Sequence, residues 1–119
     1  MPPANSIEDL LDKLKKAPEV QDATLVSRSG MHIAGDIPEN AHRETFVAMS
    51  AILLGAAETA TSELKEELSH VVIELRNSRI LIQNGGPSAL LAIKLTKKGD
   101  VDKTIEDSTA IIENIKKLL

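Results

Sequence analysis

The residues of this chain whose types and spacing could do chemistry are three histidines, an arginine pair around a turn and one glycine-rich loop. His32, His42 and His70 could ligate a transition metal, but they lack HxxH and HExxH spacing and fall on three different expected elements, so no metal site is expected. Arg76 and Arg79 bracket Asn77-Ser78. A guanidinium there could reach a partner's phosphate in the manner of an arginine finger, although solvated turn residues are the simpler expectation. Asn84-Gly85-Gly86-Pro87-Ser88 has the composition of a phosphate loop, yet a phosphate loop needs a helix N-terminus behind it, and here a strand follows. The serines come with no GxSxG elbow and no SxxK pair, and no isolated carboxylate pair sits between apolar strands. No catalytic residue, cofactor or metal is therefore expected, and the chain does not read as an enzyme.

Composition narrows the remaining classes. With 119 residues, 42% hydrophobic and 27% charged, the chain fits one globular domain, which as a compact monomer would expose about 6,300 Å². Phe46 is its single aromatic residue, so sites built on aromatic stacking are not expected. It has no cysteine, and its N-terminus MPPANSIEDLL has no basic segment followed by an apolar run; an intracellular, cytoplasmic protein is the simplest expectation. The apolar run from Phe46 to Ala57 falls short of the about 20 residues that cross a bilayer, so no membrane insertion is expected. A net charge of −4 with scattered lysines leaves no footprint for nucleic acid.

The elements that must position any site follow from periodicity. Residues 1–5 hold two prolines and read as a mobile arm, with a single domain over 6–119. Ser6 and Asp9 resemble a capping box, and Ile7, Leu10, Leu11 and Leu14 recur at helical spacing until Ala17-Pro18. Val20 to Ser27 and His32 to Ala34 read as a hairpin around Arg28-Ser29-Gly30. A long helix capped by Asn40 is then expected to run from about His42 to Leu68. Strands at His70 to Arg76, Arg79 to Gln83 and Ala89 to Leu95 form a meander with large apolar residues on both faces, so helices must cover the sheet on each side. Gly99-Asp100 opens a last helix whose stripe is Val101, Ile105, Ser108, Ile112, Ile115 and Leu119.

The long helix carries two stripes. Phe46, Met49, Leu53, Ala57, Ala60, Leu64 and Leu68 are expected to face the sheet. Ala48, Ile52, Gly55, Thr59 and Ser62, with Ala51 alongside, form a second and mostly small-residue series. Two outcomes are open for that series: a weakly polar surface, or a self-complementary helix pair of the kind a two-fold dimer requires.

The order of elements, with LVSRSGMHIAG as first hairpin, an Ala-rich helix, and VVIELRNSRILIQNGGPSALLAIKL as meander, resembles the Roadblock family. Its relatives include roadblock-type dynein light chains and bacterial regulators of Ras-like GTPases. The resemblance covers about Ile7 to Leu118 and implies an α+β fold: a five-stranded antiparallel sheet with the long helix on one face and the other two on the opposite face. It also implies a homodimer, or a pair with a paralogue, in which the long helix packs antiparallel on its copy and the edge strand with Val72 and Glu74 pairs with its counterpart. The interface expected on this basis is Ala48, Ala51, Ile52, Gly55, Thr59, Ser62, Val72 and Glu74. The implied function is a scaffold that binds and regulates a Ras-like small GTPase. The alternatives are a structural light-chain subunit of a larger complex, or an activator that repositions the GTPase's own catalytic groups. The long terminal extensions of the bacterial regulators are not present in this sequence.

Overall fold

Apolar alternation between turns produces strands where the pattern predicts them. The structure, a computed structural model, describes residues 3–119, with side chains from Ile7 onward. It places β1 at Val20–Ser27, β2 at His32–Gly35, β3 at His70–Glu74, β4 at Ser78–Asn84 and β5 at Ala89–Thr96. Helices α1 (Pro3–Leu14), α2 (Arg43–Thr61) and α3 (Val101–Lys116) complete an α+β fold. The expected arm falls partly on Met1 and Pro2, outside the described residues; from Pro3 the backbone is already part of α1. The expectation that Ser6 caps the helix is corrected, because α1 begins at Pro3 and the Ser6 backbone lies within its first turns.

All five strands pair antiparallel in the order β2-β1-β5-β4-β3, so β2 and β3 are the edges. Because successive side chains point to opposite faces, the sheet builds two cores. One buries Leu11 and Leu14 of α1 and Ile111, Ile112 and Ile115 of α3 against Ala23, Leu25, Leu81, Leu91, Ile93 and Leu95. The other buries Val47 and Leu54 of α2 against Val26, Ile82 and Leu90. The two-sided cover predicted from the apolar strands is therefore present, with α2 alone on its face.

Helix α2 departs from expectation in length, cap and facing. It spans 19 residues and gives way to a 3-10 turn at Ser62–Leu64, which Lys65 ends in a left-handed conformation, φ 58°. Hydroxyls explain the early end: Thr61 Oγ1 donates to the Ala57 carbonyl and Ser62 Oγ to the Thr59 carbonyl, both at 2.9 Å, competing with the backbone ladder. At the start, Asn40 adopts φ 70° in a turn, and His42 takes the capping position by accepting the Thr45 N–H. The expected sheet-facing stripe is corrected as well. Val47, Ser50 and Leu54 are the buried residues of α2, whereas Met49, Leu53 and Leu64 are 49%, 43% and 66% exposed. Both notable stripes flank the buried direction instead of one of them occupying it.

The chain exposes 7037 Å², more than the about 6,300 Å² of a compact monomer of its mass. Its radius of gyration, 13.4 Å, is that of a compact chain of this length, about 13.5 Å. A loose fold therefore does not explain the excess. Large apolar side chains left outside both cores contribute to it.

Candidate functional site

The two flanks of α2 face different parts of the sheet. On one side Phe46, Met49 and Leu53 overlook Ile73 of β3 and Ile80 and Ile82 of β4, forming an almost wholly apolar open groove of about 340 Å³. Helical spacing aligns these three side chains, and the groove lies between them and the edge strand β3 with its neighbour β4. On the other side Ala48 packs against the hairpin turn. A Cβ on Gly30, whose φ is +89°, would lie 3.1 Å from the Ala48 Cα, so the backbones meet there through glycine.

The interface residues expected from sequence are distributed accordingly. Ala48 is half-buried at the hairpin, and Ala51 is half-buried against the α2-side core. Ile52 is 57% exposed. Gly55 has open space where a side chain would be, Thr59 is exposed, and Ser62 is exposed in the 3-10 turn. Val72 is 41% exposed on β3. Val71 and Ile73 line the α2 side, so alternation points Val72 to the opposite face. Glu74, at the end of β3, is ion-paired to Arg79 at 2.7 Å and to Lys97 at 3.2 Å. The structure brings Val72 and Glu74 together on the edge strand, whereas of the expected helix residues only Ala48 meets the hairpin, and Ile52, Thr59 and Ser62 are exposed.

That Glu74 cluster also disposes of an arginine. Partial desolvation pushes the Glu74 carboxyl up, but the hydrogen bond from Lys97 and the charges of Arg79 and Lys97 outweigh it and hold the pKa below its ordinary value. Arg79, read from sequence as a solvated turn residue, donates Nε to Glu74 and Nη1 to the Gly99 carbonyl at 3.1 Å. Its guanidinium is occupied within the protein. Arg76 is exposed beside the turn.

A polar cluster missed in the sequence ties α2 to the sheet. Arg28 donates Nη1 and Nη2 to the two Glu58 oxygens at 2.8 and 3.2 Å, Nη2 also to Asn84 Oδ1 at 2.8 Å, and Nε to the Gly86 carbonyl at 3.0 Å. Asn84 in turn donates Nδ2 to the Leu68 carbonyl at 2.8 Å. One guanidinium thus fastens the first hairpin, α2 and the loop before β5, consistent with a fork geometry that matches carboxylates. The signal was available: Glu58 is the single charged residue between Phe46 and Ser62, and a lone charge in an apolar helix needs a partner. The loop 84–88 is a turn: the Gly85 N–H bonds to the Ala89 carbonyl at 3.1 Å and no helix follows. Among the described residues no three metal-capable side chains converge.

The helical run Arg43–Leu64, at 22 residues, is long and apolar enough to cross a membrane by length and composition, although its uninterrupted apolar run is shorter. In this fold it lies on the sheet, with Val47 and Leu54 in the core and Glu58 in the Arg28 pair. What distinguishes it from an ordinary surface helix is the apolar outer face.

Comparison with known proteins places this geometry among others. The chain is 28% identical to an uncharacterised protein of Methanocaldococcus jannaschii, over 82% of this chain and 92% of that one. Its fold is similar to a Roadblock/LC7 domain from Streptomyces avermitilis, with a TM-score of 0.83 at 16% identity, covering 92% of this chain and 94% of that one. It is also similar to the gliding protein MglB of Thermus thermophilus, with a TM-score of 0.85 at 16% identity over 98% and 90%. The Roadblock/LC7 domain family model matches residues 6–95, and the chain belongs to that family.

Proposed function

We propose that the protein is a homodimeric scaffold that binds and regulates a Ras-like small GTPase, without catalytic groups of its own. The observation that carries the dimer is the coincidence of two unsatisfied features at one edge. β3 has a strand on only one side, and the apolar groove of Phe46, Met49, Leu53 and Ile73 opens immediately above it. A two-fold axis beside β3 would add a strand to the edge and lay the partner's α2 flank over the groove in a single operation. The other edge is a poorer template, since β2 has four residues and its pairing with β1 is interrupted between Leu25 and Val26.

In this assembly Met49, Leu53 and Val72 approach the partner, Ile52 sits at the rim of the helix pair, and the hairpin flank of α2 stays outside it. Family membership and the likeness to MglB support the GTPase part, because the Roadblock resemblance implies scaffolds for Ras-like GTPases. The engagement of Arg79 with Glu74 and Gly99 favours a scaffold over a donor of a catalytic arginine. The test is to load Ras-like GTPases of the same cell with GDP or a non-hydrolysable GTP analogue, and to measure binding and hydrolysis with the purified protein. Nucleotide-dependent binding supports the proposal. Binding to none of them, in either state, overturns it in favour of a structural subunit.

A further inference from the structure

The face of the sheet opposite α2 carries a second surface. Helices α1 and α3 pack side by side there, and the groove between them measures about 630 Å³. Its floor is apolar and low, with Leu10, Ala17 and Ala110 lying over the buried Leu14 and Ile111. Its lips differ in charge: Lys13 on α1 and Lys16 in the turn that follows it lie on one side, and Lys103, Glu106 and Asp107 on α3 lie on the other. Among the described residues Lys13, Lys16 and Glu106 take part in no ion pair, whereas Asp107 is shared with Lys103. The α3 wall runs from Lys103 to Asn114, about 16 Å or three turns.

We propose that this groove docks an amphipathic helix of a partner protein, one with a small apolar stripe, acidic residues along the flank that meets Lys13 and Lys16, and basic residues along the flank that meets Glu106. A third helix laid over two packed helices completes a three-helix layer, and the alanines at positions 17 and 110 permit close approach. The opposed lips fix both the rotation of the incoming helix and its direction, because reversing it would place like charges together. The groove lies away from α2 and β3, so it remains open in the proposed dimer, which then offers two such grooves.

The probe is a synthetic helical peptide of about 14 residues with a leucine and alanine stripe, glutamate on one flank and lysine on the other, titrated by fluorescence anisotropy into the full chain. Peptides with glutamate on both flanks, or lysine on both, are the comparison. Saturable binding of the mixed peptide, at least roughly tenfold tighter than either uniform peptide and weakened by salt, is expected. Lys13→Glu or Glu106→Lys should each weaken it several-fold, and the double variant should restore it by accepting the peptide in reverse direction. Ala110→Arg should abolish it, with circular dichroism confirming the fold, and Leu53→Asp should leave it unchanged. Equal affinity for all three peptides, no rescue in the double variant, or a change of oligomeric mass on Lys13→Glu would overturn the proposal, the last by identifying the groove as a contact between copies.

Discussion

Replacing Leu53 by aspartate separates the groove flank of α2 from its small-residue flank as the site of self-association. Leu53 is 43% exposed in the protomer and Met49 49%. Full burial of such a side chain contributes about 1.5–3 kcal/mol, so the part still exposed represents about 1 kcal/mol. A two-fold interface counts each residue twice, and a carboxylate forced into an apolar contact adds a desolvation cost. Leu53→Asp should therefore weaken the proposed dimer by at least about 3 kcal/mol, more than a hundredfold in Kd, while costing the protomer about 2 kcal/mol through the part of Leu53 already buried and the lower helix propensity of aspartate. Gly55 supplies the counter-experiment. No atom lies within 4 Å of where its Cβ would be, so Gly55→Ala should stabilise the protomer by about 1 kcal/mol through helix propensity, raising Tm by about 4 °C. Neither Gly55→Ala nor Gly55→Arg should alter the dimer. Sedimentation equilibrium at several concentrations reads the association, and urea unfolding reads the protomer. Dissociation by Gly55→Arg with an intact Leu53→Asp dimer would refute the reasoning and place the contact on the hairpin flank; a wild type that is monomeric throughout would refute both.

Arg28→Ala should destabilise the fold by about 1–3 kcal/mol in urea titration, since Glu58 and the Gly86 carbonyl lose a charge-assisted donor at partly exposed positions; Arg28→Ala with Glu58→Ala should lose less than the sum of the two single changes. Gly30→Val should cost more than about 1 kcal/mol, because φ +89° is unfavourable for a branched residue and its Cβ would meet the Ala48 backbone at 3.1 Å. Acid unfolding has a definite sign at Glu74. Its lowered pKa means that its contribution is present above its unfolded value near 4.5 and is lost as pH falls through the folded one. Glu74→Gln should accordingly flatten the acid limb of a stability-against-pH curve and leave the slope above about pH 6 unchanged. Lys103, whose pKa is raised by its hydrogen bond to Asp107 and by the charges of Asp107 and Glu19, has the opposite sense: its contribution is complete below its ordinary value of 10.5 and fades as pH rises past the folded value.

The strands and their order around the turns were legible because each apolar run ends in residues that cannot continue it, such as Arg28-Ser29-Gly30 and Asn84-Gly85-Gly86. The facing of α2 was not. Its inward line passes through Val47, Ser50, Leu54, Glu58 and Thr61, of which three are polar, so hydrophobic counting prefers either neighbour. Those polar atoms are satisfied locally: Ser50 donates to the Phe46 carbonyl, Thr61 to the Ala57 carbonyl, and Glu58 accepts from Arg28. Side chains that return their hydrogen bonds to their own helix can be buried without a partner across the core. The edge position of β3 followed from the resemblance; the groove above it, which depends on how far α2 is set from that edge, could only come from tertiary packing.

Sheet order also has a temporal consequence. β1 pairs through Val20–Leu95 and Ser27–Ala89 with the last strand to be synthesised. During translation the first hairpin therefore has no neighbour on its inner side until β5 has left the ribosome, while the β3-β4-β5 meander can close locally. Throughout that interval the inner edge of β1, a run that includes Ala23, Leu25 and Val26, is a solvent-exposed strand template. Protection of the nascent chain, by a chaperone or by a partner chain, matters most for this protein between the emergence of residue 27 and that of residue 96.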